Sequence, residues 1–381
     1  MQSKTSERFL ALDVFRGMTI CLMIIVNTPG NGHTTFAPLH HAHWNGFTPT
    51  DLVFPSFMFA VGNAMSFVMR RWSEMRTSQV LAKIFKRTFI IFLLGYLMYW
   101  FPFFAYNDQH HLVLSPIANT RIFGVLQRIA LGYCFASLML YFLGTRATVI
   151  ITCLILLLYC PVMVYFGTGS DPLDMHTNAV LRLDTWLIGT KHLYMGEGFP
   201  FDPEGFLSTF PSIGNVVGGY LVGKYVQKSG KTFEGLAKLF MAGFLLFVIA
   251  FWWNYGFPIN KKIWTSSFVL HTTGLDCMLL ACIMYYIDFA KRRTGVWFFE
   301  VFGKNPLFIY LVSELSVIIL YMININGTPL FTWLYQNIFR LGGSNGSLIM
   351  YIGSLLFAIC YMLYCWLVGY ILDKKKIYIR V

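Results

Sequence analysis

The chain has 381 residues, of which 56% are hydrophobic and 12% are charged. A soluble domain has about 25% charged residues, and the apolar residues here form repeated runs long enough to cross a hydrocarbon core of roughly 30 Å. The composition excludes an ordinary soluble domain. It predicts an all-α, polytopic integral membrane protein, a helical bundle that forms a single domain over residues 1–381.

Ten apolar stretches are predicted to span the membrane. The ninth is interrupted at Gly303-Lys304-Asn305-Pro306, which favours a short interfacial helix followed by a shorter span. In chain order the predicted spans are residues 10–27, 51–70, 88–105, 122–144, 147–166, 206–227, 235–254, 263–287, 298–322 and 348–372.

The net charge of +12 is unevenly distributed between the loops. Basic clusters lie in alternate loops, whereas the loops between them are poor in Lys and Arg. The positive-inside rule then predicts that both termini are cytoplasmic. The excess indicates topology and contact with anionic lipids of the bilayer, and we expect no nucleic-acid partner. The clusters include Arg70-Arg71, Lys86-Arg87, Lys291-Arg292-Arg293 and Lys374-Lys375-Lys376.

The loop between the first two spans is rich in imidazole groups. It contains His33, His40, His41 and His43 within eleven residues. This spacing lacks a helical i, i+4 pair, and the loop has no cysteine, so we expect no metal. A histidine acting as a general base or a nucleophile is favoured instead.

The end of this loop has the pattern of a helix start. Thr48 suits the N-cap, Pro49 the first helical position, and Asp51 the third, where its carboxylate can reach back to the cap. Capping alone would explain Asp51. The functional alternative is that Asp51 orients a histidine of the loop.

Several ionisable or amide side chains lie within predicted spans, where a charge costs roughly 2.5–3.5 kcal/mol. One interpretation is mutual neutralisation, of Asp13 by Arg16 or Arg128 and of Lys304 by Glu314. The other is binding of a polar, anionic ligand inside the bundle. The set is Asp13, Arg16, Gln127, Arg128, His271, Asp276, Lys304 and Glu314.

The longest predicted outer segment, residues 167–205, is acidic and aromatic. It is interpreted either as a lid over the outer side or as an exposed loop. Trp186, Tyr194 and Trp264 either belong to an interfacial aromatic belt or stack on a ligand. The acidic residues are Asp171, Asp174, Asp184, Glu197, Asp202 and Glu204.

Motifs spread over most of the chain carry a family resemblance. They are Leu12-Asp13-Val14-Phe15-Arg16-Gly17, Val26-Asn27, His41-Ala42 with Trp44-Asn45-Gly46, Thr48 with Asp51-Leu52-Val53-Phe54-Pro55, Arg121-Ile122, and residues 124–130, 202–205, 258–264 and 303–307. In these motifs the chain resembles the heparan-alpha-glucosaminide N-acetyltransferase family.

The resemblance implies a transmembrane acyltransferase that moves an acetyl group from cytoplasmic acetyl-CoA to the amine of a glucosamine-type sugar outside. It implies that His41, in the HAxWNG motif, is catalytic. Asn27 and Asp51 fall on the asparagine and aspartate of the neighbouring motifs. It also implies a compact bacterial relative in the inner membrane, and a homodimer.

The predicted topology places His41 at the outer side and Arg16 and Arg128 nearer the cytoplasm. The anionic nucleotide of CoA is therefore expected at the cytoplasmic basic groups, near Arg16 and Arg128. Further contacts with the co-substrate are expected from Arg121, Gln127, Lys304 and Asn305. Acceptor contacts are expected from Trp44, Asn45, Glu204 and Trp264.

Two mechanisms and one other function remain open at this stage. His41 acts either as the base of a direct transfer, which we favour, or as a nucleophile that carries the acetyl group. Asn27 would donate to the oxyanion. The alternative function is a sugar permease, in which the polar groups form a solute path.

Overall fold

The computed structural model describes residues 9–106, 111–340, 342 and 347–379. Most of these residues are helical, in α1 (Leu10–Asn27), α2 (Pro49–Met69), α3 (Thr77–Trp100), α4 (Val125–Phe142), α5 (Gly144–Phe166), α6 (Ala179–Ile188), α7 (Phe206–Ser229), α8 (Phe233–Trp253), α9 (Ser266–Met284), α10 (Val296–Lys304), α11 (Pro306–Met322), α12 (Leu330–Leu334) and α13 (Leu348–Lys374). Two small antiparallel pairs join β1 (Phe104–Tyr106) to β2 (Leu112–Leu114) and β3 (Asn324–Ile325) to β4 (Thr328–Pro329).

The all-α, multi-pass membrane class is confirmed. Within the described ranges, seven helices are long and apolar enough to cross a membrane: α1, α2, α4, α5, α8, α13 and α9 with its π-helical extension to Phe289. The α10–α11 pair would make an eighth span. The remaining predicted spans, 88–105 and 206–227, fall on α3 and α7, which are long but do not combine high hydropathy with few charges. Ten spans and cytoplasmic termini therefore stay predictions.

The predicted break in the ninth span is confirmed. α10 ends at Lys304, and α11 begins at Pro306 after a bend of 83°. Proline has no N–H for the helical ladder and disfavours helical geometry at the residue before it. Asn305 accordingly leaves the helical region, and Pro306 takes the first position of the next helix.

The chain divides into two compact units, and the sequence prediction of a single domain stays a prediction. The first unit comprises Met1–His40, Lys231–Met241 and Cys277–Arg380, and the second comprises mainly His41–Gly230 and Ala242–Asp276. In the first unit α1 packs on α10, α11 and α13. In the second, α2 and α4 pack on α7, and α3 packs on α4.

Two glycines allow the backbones of α2 and α7 to touch. A Cβ on Gly62 would lie 1.8 Å from the carbonyl oxygen of Val216, and one on Gly219 would lie 1.9 Å from that of Phe59. Small residues permit this approach, and membrane helices rely on such packing because lipid tails are as apolar as the side chains. The α2–α7 contact therefore fixes where α2, and the loop that precedes it, are held.

The acidic segment of residues 167–205 is a packed part of the second unit. It contains α6, and its Val180 and Phe201 are buried in a cluster with Phe257 and Ile263. The interpretation as an exposed loop is therefore wrong, and the interpretation as a lid stays a prediction.

Ion pairs of the first unit confirm one expected pairing and correct another. Arg16 pairs with Asp13 on α1, as expected for i, i+3 neighbours. Lys304 does not pair with Glu314 as predicted. Its Nζ lies 3.2 Å from Glu300 and 2.9 Å from Asp373, because the break after α10 points it toward the end of α13. Glu314 instead accepts a hydrogen bond of 3.4 Å from the amide of Asn27.

The α2–α7 contact yields a stability prediction. Gly219→Ala forces a methyl group against a backbone carbonyl, so we expect destabilisation by about 1–3 kcal/mol, measured as a lower thermal midpoint in detergent. Gly256→Ala is the control, since a Cβ there meets open space. Equal midpoints for the two variants would contradict the close contact.

Candidate active site

The start of α2 is built around the carboxylate of Asp51. Its Oδ2 accepts from the backbone N–H of Thr48 at 3.0 Å, and the Thr48 side chain accepts from the backbone N–H of Asp51, which completes a capping box with Pro49 at the first helical position. The same oxygen accepts from the N–H of Ala42 at 3.1 Å. The predicted helix start is confirmed, and the carboxylate also holds the preceding loop.

The other oxygen of Asp51 holds the imidazole of His41. His41 Nδ1 lies 2.7 Å from Asp51 Oδ1, and the carboxylate is buried while the ring is 47% exposed. One oxygen of Asp51 therefore caps α2 and the other contacts a loop histidine, and a functional role for this contact stays a prediction. With the Nδ1 proton directed at a carboxylate, Nε2 is left as the acceptor.

Lys261 completes this cluster, and sequence reasoning did not assign it to the site. Its Nζ lies 3.0 Å from Nδ1 and 3.4 Å from Nε2 of His41, and 3.7 Å from Asp51 Oδ1. Burial lowers the pKa of Lys261 below its usual range, although the charges of Asp51 and Glu204 oppose this shift. The sequence signal that could have indicated this role is the pair of adjacent lysines, Lys261 and Lys262, in the 258–264 motif.

A buried asparagine fixes the segment that carries Lys261. Asn260 donates from its amide to Asn45 Oδ1 at 3.1 Å and accepts from the N–H of Ile263 at 3.1 Å. The N–H of Gly46 donates to the carbonyl of Ile259 at 2.8 Å. The histidine loop and residues 259–263 are thus one hydrogen-bonded assembly, in which Asn45 has a structural contact.

Arg121 is the centre of a saturated ion cluster. Its guanidinium forms a bidentate pair with Asp202 at 2.8 and 2.6 Å and a further contact of 2.6 Å with Glu204. The rings of Tyr99 and Tyr194 lie 4.9 and 4.6 Å from its central carbon. These contacts occupy the guanidinium that was expected to bind CoA.

The cluster shifts the two carboxylates in opposite directions. Burial raises the pKa of Asp202 despite its bond to Arg121. For Glu204 burial acts the same way, but the charges of Arg121, Arg128 and Lys261 outweigh it and lower the pKa. Glu204 is therefore ionised and already engaged by cations.

Arg128 and Gln127 have polar atoms without a protein partner. Both side chains are fully buried. One Arg128 nitrogen bonds to the carbonyl of Gly205 and to Ser208, while its Nε and Nη1 and both polar atoms of Gln127 are unpaired. Trp264 lies 4.6 Å beneath the guanidinium and is itself fully buried.

The buried Trp264 packs in the core of the second unit. Its Nε1 donates to Asn215 at 3.0 Å, which accounts for its polar atom. Trp44 is half-buried, with Nε1 donating to the carbonyl of Leu173 at 3.1 Å. Tyr194 and Trp186 are the more exposed of the predicted aromatic contacts.

The other predicted residues belong to the first unit, where they have defined partners. Asn27 ends α1 and contacts Glu314, and Arg16 pairs with Asp13 while its Nε is unpaired. Asn305 bonds to the backbone of Ile377 and Ile379 and so fastens the segment after α13. These contacts are structural and do not test a role in binding.

Two intramembrane groups of the second unit have packing partners. The His271 ring lies 4.5 Å from Phe47 and 4.8 Å from Phe247. Asp276 accepts a hydrogen bond from the hydroxyl of Ser56. Among the described residues, no group of three or more His, Cys, Asp or Glu side chains could hold a metal ion.

Comparison with known proteins identifies the family. The family described as "Heparan-alpha-glucosaminide N-acetyltransferase, catalytic" matches residues 8–251, which is more than half of the chain and includes His41 and Asp51. The chain belongs to this family. The resemblance noted in the sequence is thereby confirmed.

Two curated relatives have the same name. The heparan-alpha-glucosaminide N-acetyltransferase of Mus musculus is 26% identical over 368 residues, covering 81% of this chain and 54% of the relative. That of Homo sapiens is 27% identical over 370 residues, covering 82% and 53%. The chain thus spans about half the length of the curated relatives it matches.

Asp184 yields a pH-dependent prediction. Its Oδ1 caps α7 through the N–H groups of Phe206 and Leu207, but burial raises its pKa to about 7. The unfolded chain ionises first as pH rises, so this group's contribution to stability is present below about pH 4 and is lost up to about pH 7. Asp184→Asn should therefore gain thermal stability relative to wild type between pH 5 and pH 7.

The measurement is the difference between the two thermal midpoints at each pH in detergent. Glu74→Gln, at an exposed carboxylate, is the control. The difference between its thermal midpoint and that of the wild type should be the same at every pH. A difference between wild type and Asp184→Asn that does not change with pH would show that Asp184 ionises normally.

Proposed function

We propose that the protein is a transmembrane N-acetyltransferase that transfers an acetyl group from cytoplasmic acetyl-CoA to the amine of a glucosamine-type sugar on the outer side. Family membership supports the reaction class. The observation that carries the proposal is the His41–Asp51 pair, with Nδ1 at 2.7 Å from the carboxylate, in the family's own motif. A bacterial inner membrane, cytoplasmic termini and a homodimer belong to the same proposal.

The reaction is a direct transfer with His41 as the general base. The acceptor loses one proton to become a neutral amine, which attacks the thioester carbonyl. As the C–N bond forms, His41 Nε2 takes the second amine proton. The C–S bond then breaks, and His41 gives this proton to the departing CoA thiolate, which restores the neutral imidazole. Asp51 keeps the imidazole in the tautomer that accepts at Nε2.

Asn27 is proposed to donate its amide to the developing oxyanion. Its contact with Glu314 is 3.4 Å long, which is a weak hydrogen bond that a substrate oxygen can replace. The N-terminal end of α2, beside His41, adds a partial positive charge. This partial charge acts on the negative charge that appears only during the reaction.

For the donor, Arg128 and Gln127 are the best-supported contacts. They are buried and have unpaired donors, which is costly unless a ligand or water fills them. Arg16 keeps one unpaired nitrogen. Arg121, Lys304 and Asn305 are engaged by protein groups, so their proposed contact with CoA requires exchange of partners.

For the acceptor, Trp44, Asn45 and Glu204 are proposed to bind the sugar. Trp44 is half-buried and Asn45 is exposed near His41 in the chain, and an aromatic face beside amide groups suits a sugar ring. Glu204 is ionised and can accept from hydroxyl groups. Trp264, being fully buried, contributes through Arg128 and not by direct stacking.

His41→Ala tests the proposal. The purified protein in lipid nanodiscs is given radiolabelled acetyl-CoA and glucosamine, and acetylated sugar is counted. We expect the variant to lose turnover because the base is absent, with its Kd for acetyl-CoA unchanged. His43→Ala is the matched control and should retain activity.

Other outcomes would decide against this account. Label trapped covalently on His41 would establish the nucleophilic mechanism. Counterflow of unmodified sugar in proteoliposomes without acetyl-CoA, combined with no acetylation, would favour a permease.

Asp51→Asn separates catalysis from folding. The amide oxygen can still accept from N–H groups at the start of α2, but the carboxylate that selects the imidazole tautomer is lost. We expect kcat to fall by roughly 10²–10⁴-fold with a smaller change in the thermal midpoint. An Asp51→Asn variant with kcat near wild type would mean that Asp51 only caps α2.

A further inference from the structure

The position of Lys261 beside the His41 ring is not explained by charge pairing. Its Nζ is closer to both imidazole nitrogens, at 3.0 and 3.4 Å, than to Asp51 Oδ1, at 3.7 Å. A lysine that served only to neutralise Asp51 would contact the carboxylate first. Its side chain is only 14% exposed, so a long, flexible group is held in one place.

The contacts of Lys261 leave Nε2 available to an amine. Asp51 Oδ1 already engages Nδ1, at 2.7 Å. Lys261 Nζ lies 3.4 Å from Nε2, which is longer than its 3.0 Å contact with Nδ1, and a hydrogen bond of that length is weak. An amine can therefore replace the contact at Nε2 while the lysine remains beside Nδ1 and Asp51.

We propose that Lys261 is a further catalytic residue, whose ammonium group binds the oxygen of the thioester carbonyl as it becomes an oxyanion. This inference rests on the proposed function. An amine bound to Nε2 places the carbonyl that it attacks within a few ångströms of Nε2, and Lys261 Nζ is 3.4 Å from the same atom. The ammonium has three donors and can direct one to that oxygen.

The step is electrostatic and leaves the balance of the reaction unchanged. The amine nitrogen bonds to the carbonyl carbon, the π electron pair moves to the oxygen, and Lys261 stabilises that charge without giving up its proton. When the carbonyl re-forms, the C–S bond breaks and the thiolate departs. Donors aimed at the oxyanion stabilise the transition state more than the bound substrate, because the negative charge exists only in the transition state and intermediate.

The charges around Lys261 set the pH range in which it can act. His41, Asp51 and Glu204 face it from the histidine loop, α2 and the segment before α7, and Lys262 is its chain neighbour, paired with Glu197. Burial lowers the pKa of Lys261 despite Asp51 and Glu204. Activity requires the ammonium form, so kcat should fall on the alkaline side, at a pH below that of an ordinary lysine.

The test compares three lysine variants in nanodiscs with saturating acetyl-CoA and glucosamine. Lys261→Met keeps the stem but removes the charge, and we expect kcat to fall by about 10²–10³-fold with both KM values near wild type. Lys261→Arg keeps a charge that does not titrate, so its residual activity should persist to higher pH than the wild type. Lys262→Met, next in sequence, should keep the wild-type kcat.

Each result decides the question. A Lys261→Met variant with wild-type kcat, or a Lys261→Arg variant with the wild-type alkaline limb, would overturn the proposal. Should the variants fail to fold, the wild-type profile decides: a kcat constant up to the pH at which the protein unfolds would exclude a lysine requirement. Absence of any acetylation by the wild type would instead refute the proposed function itself.

Discussion

The carboxylate of Asp51 is the interaction on which the candidate site depends. One buried side chain ends the loop, begins α2 and holds the His41 ring, through bonds of 3.0 Å to Thr48, 3.1 Å to Ala42 and 2.7 Å to His41. An imidazole that is 47% exposed would otherwise sample several rotamers. Because the capping box fixes the carboxylate, and the glycine contact between α2 and α7 fixes the helix, the ring inherits its orientation from the packing of the second unit.

Local chemistry explains which features could be read from the sequence. The capping box, the break at Pro306 and the Asp13–Arg16 pair each depend on residues within a few positions of one another, so spacing alone predicts them. The partner of Lys304 and the place of Lys261 depend on contacts 69 and 220 residues apart. No periodicity encodes such pairs. The composition of the acidic segment likewise does not predict that Asp184 caps α7 or that Asp202 binds Arg121.

Arg121 and Arg128 differ in how completely their polar atoms are paired within the protein. Arg121 has two carboxylates and two aromatic rings around it, which is what a buried guanidinium needs for stability. Arg128 is more deeply buried than Arg121, yet two of its nitrogens are unpaired and it bonds through one nitrogen to Gly205 and Ser208. Removing water from such donors without replacement is costly. The sequence motifs gave both arginines the same expected role. Their surroundings in the structure distinguish Arg121, whose guanidinium is paired with carboxylates, from Arg128, which has unpaired N–H donors.

The pairing of the acidic side chains also bears on how the proposed amino-sugar acceptor would be recognised. Glu204 and Asp202 are engaged by Arg121, so neither is a free carboxylate for a cationic amine. Lys261 lies beside His41 with Asp51 as its counter-charge. Recognition of the proposed sugar would therefore rest mainly on hydrogen bonds with its hydroxyl groups. Water also reaches a half-exposed imidazole, so preference for the amine over hydrolysis must come from holding the acceptor in place, where effective molarities of roughly 10⁵ M or more are attainable.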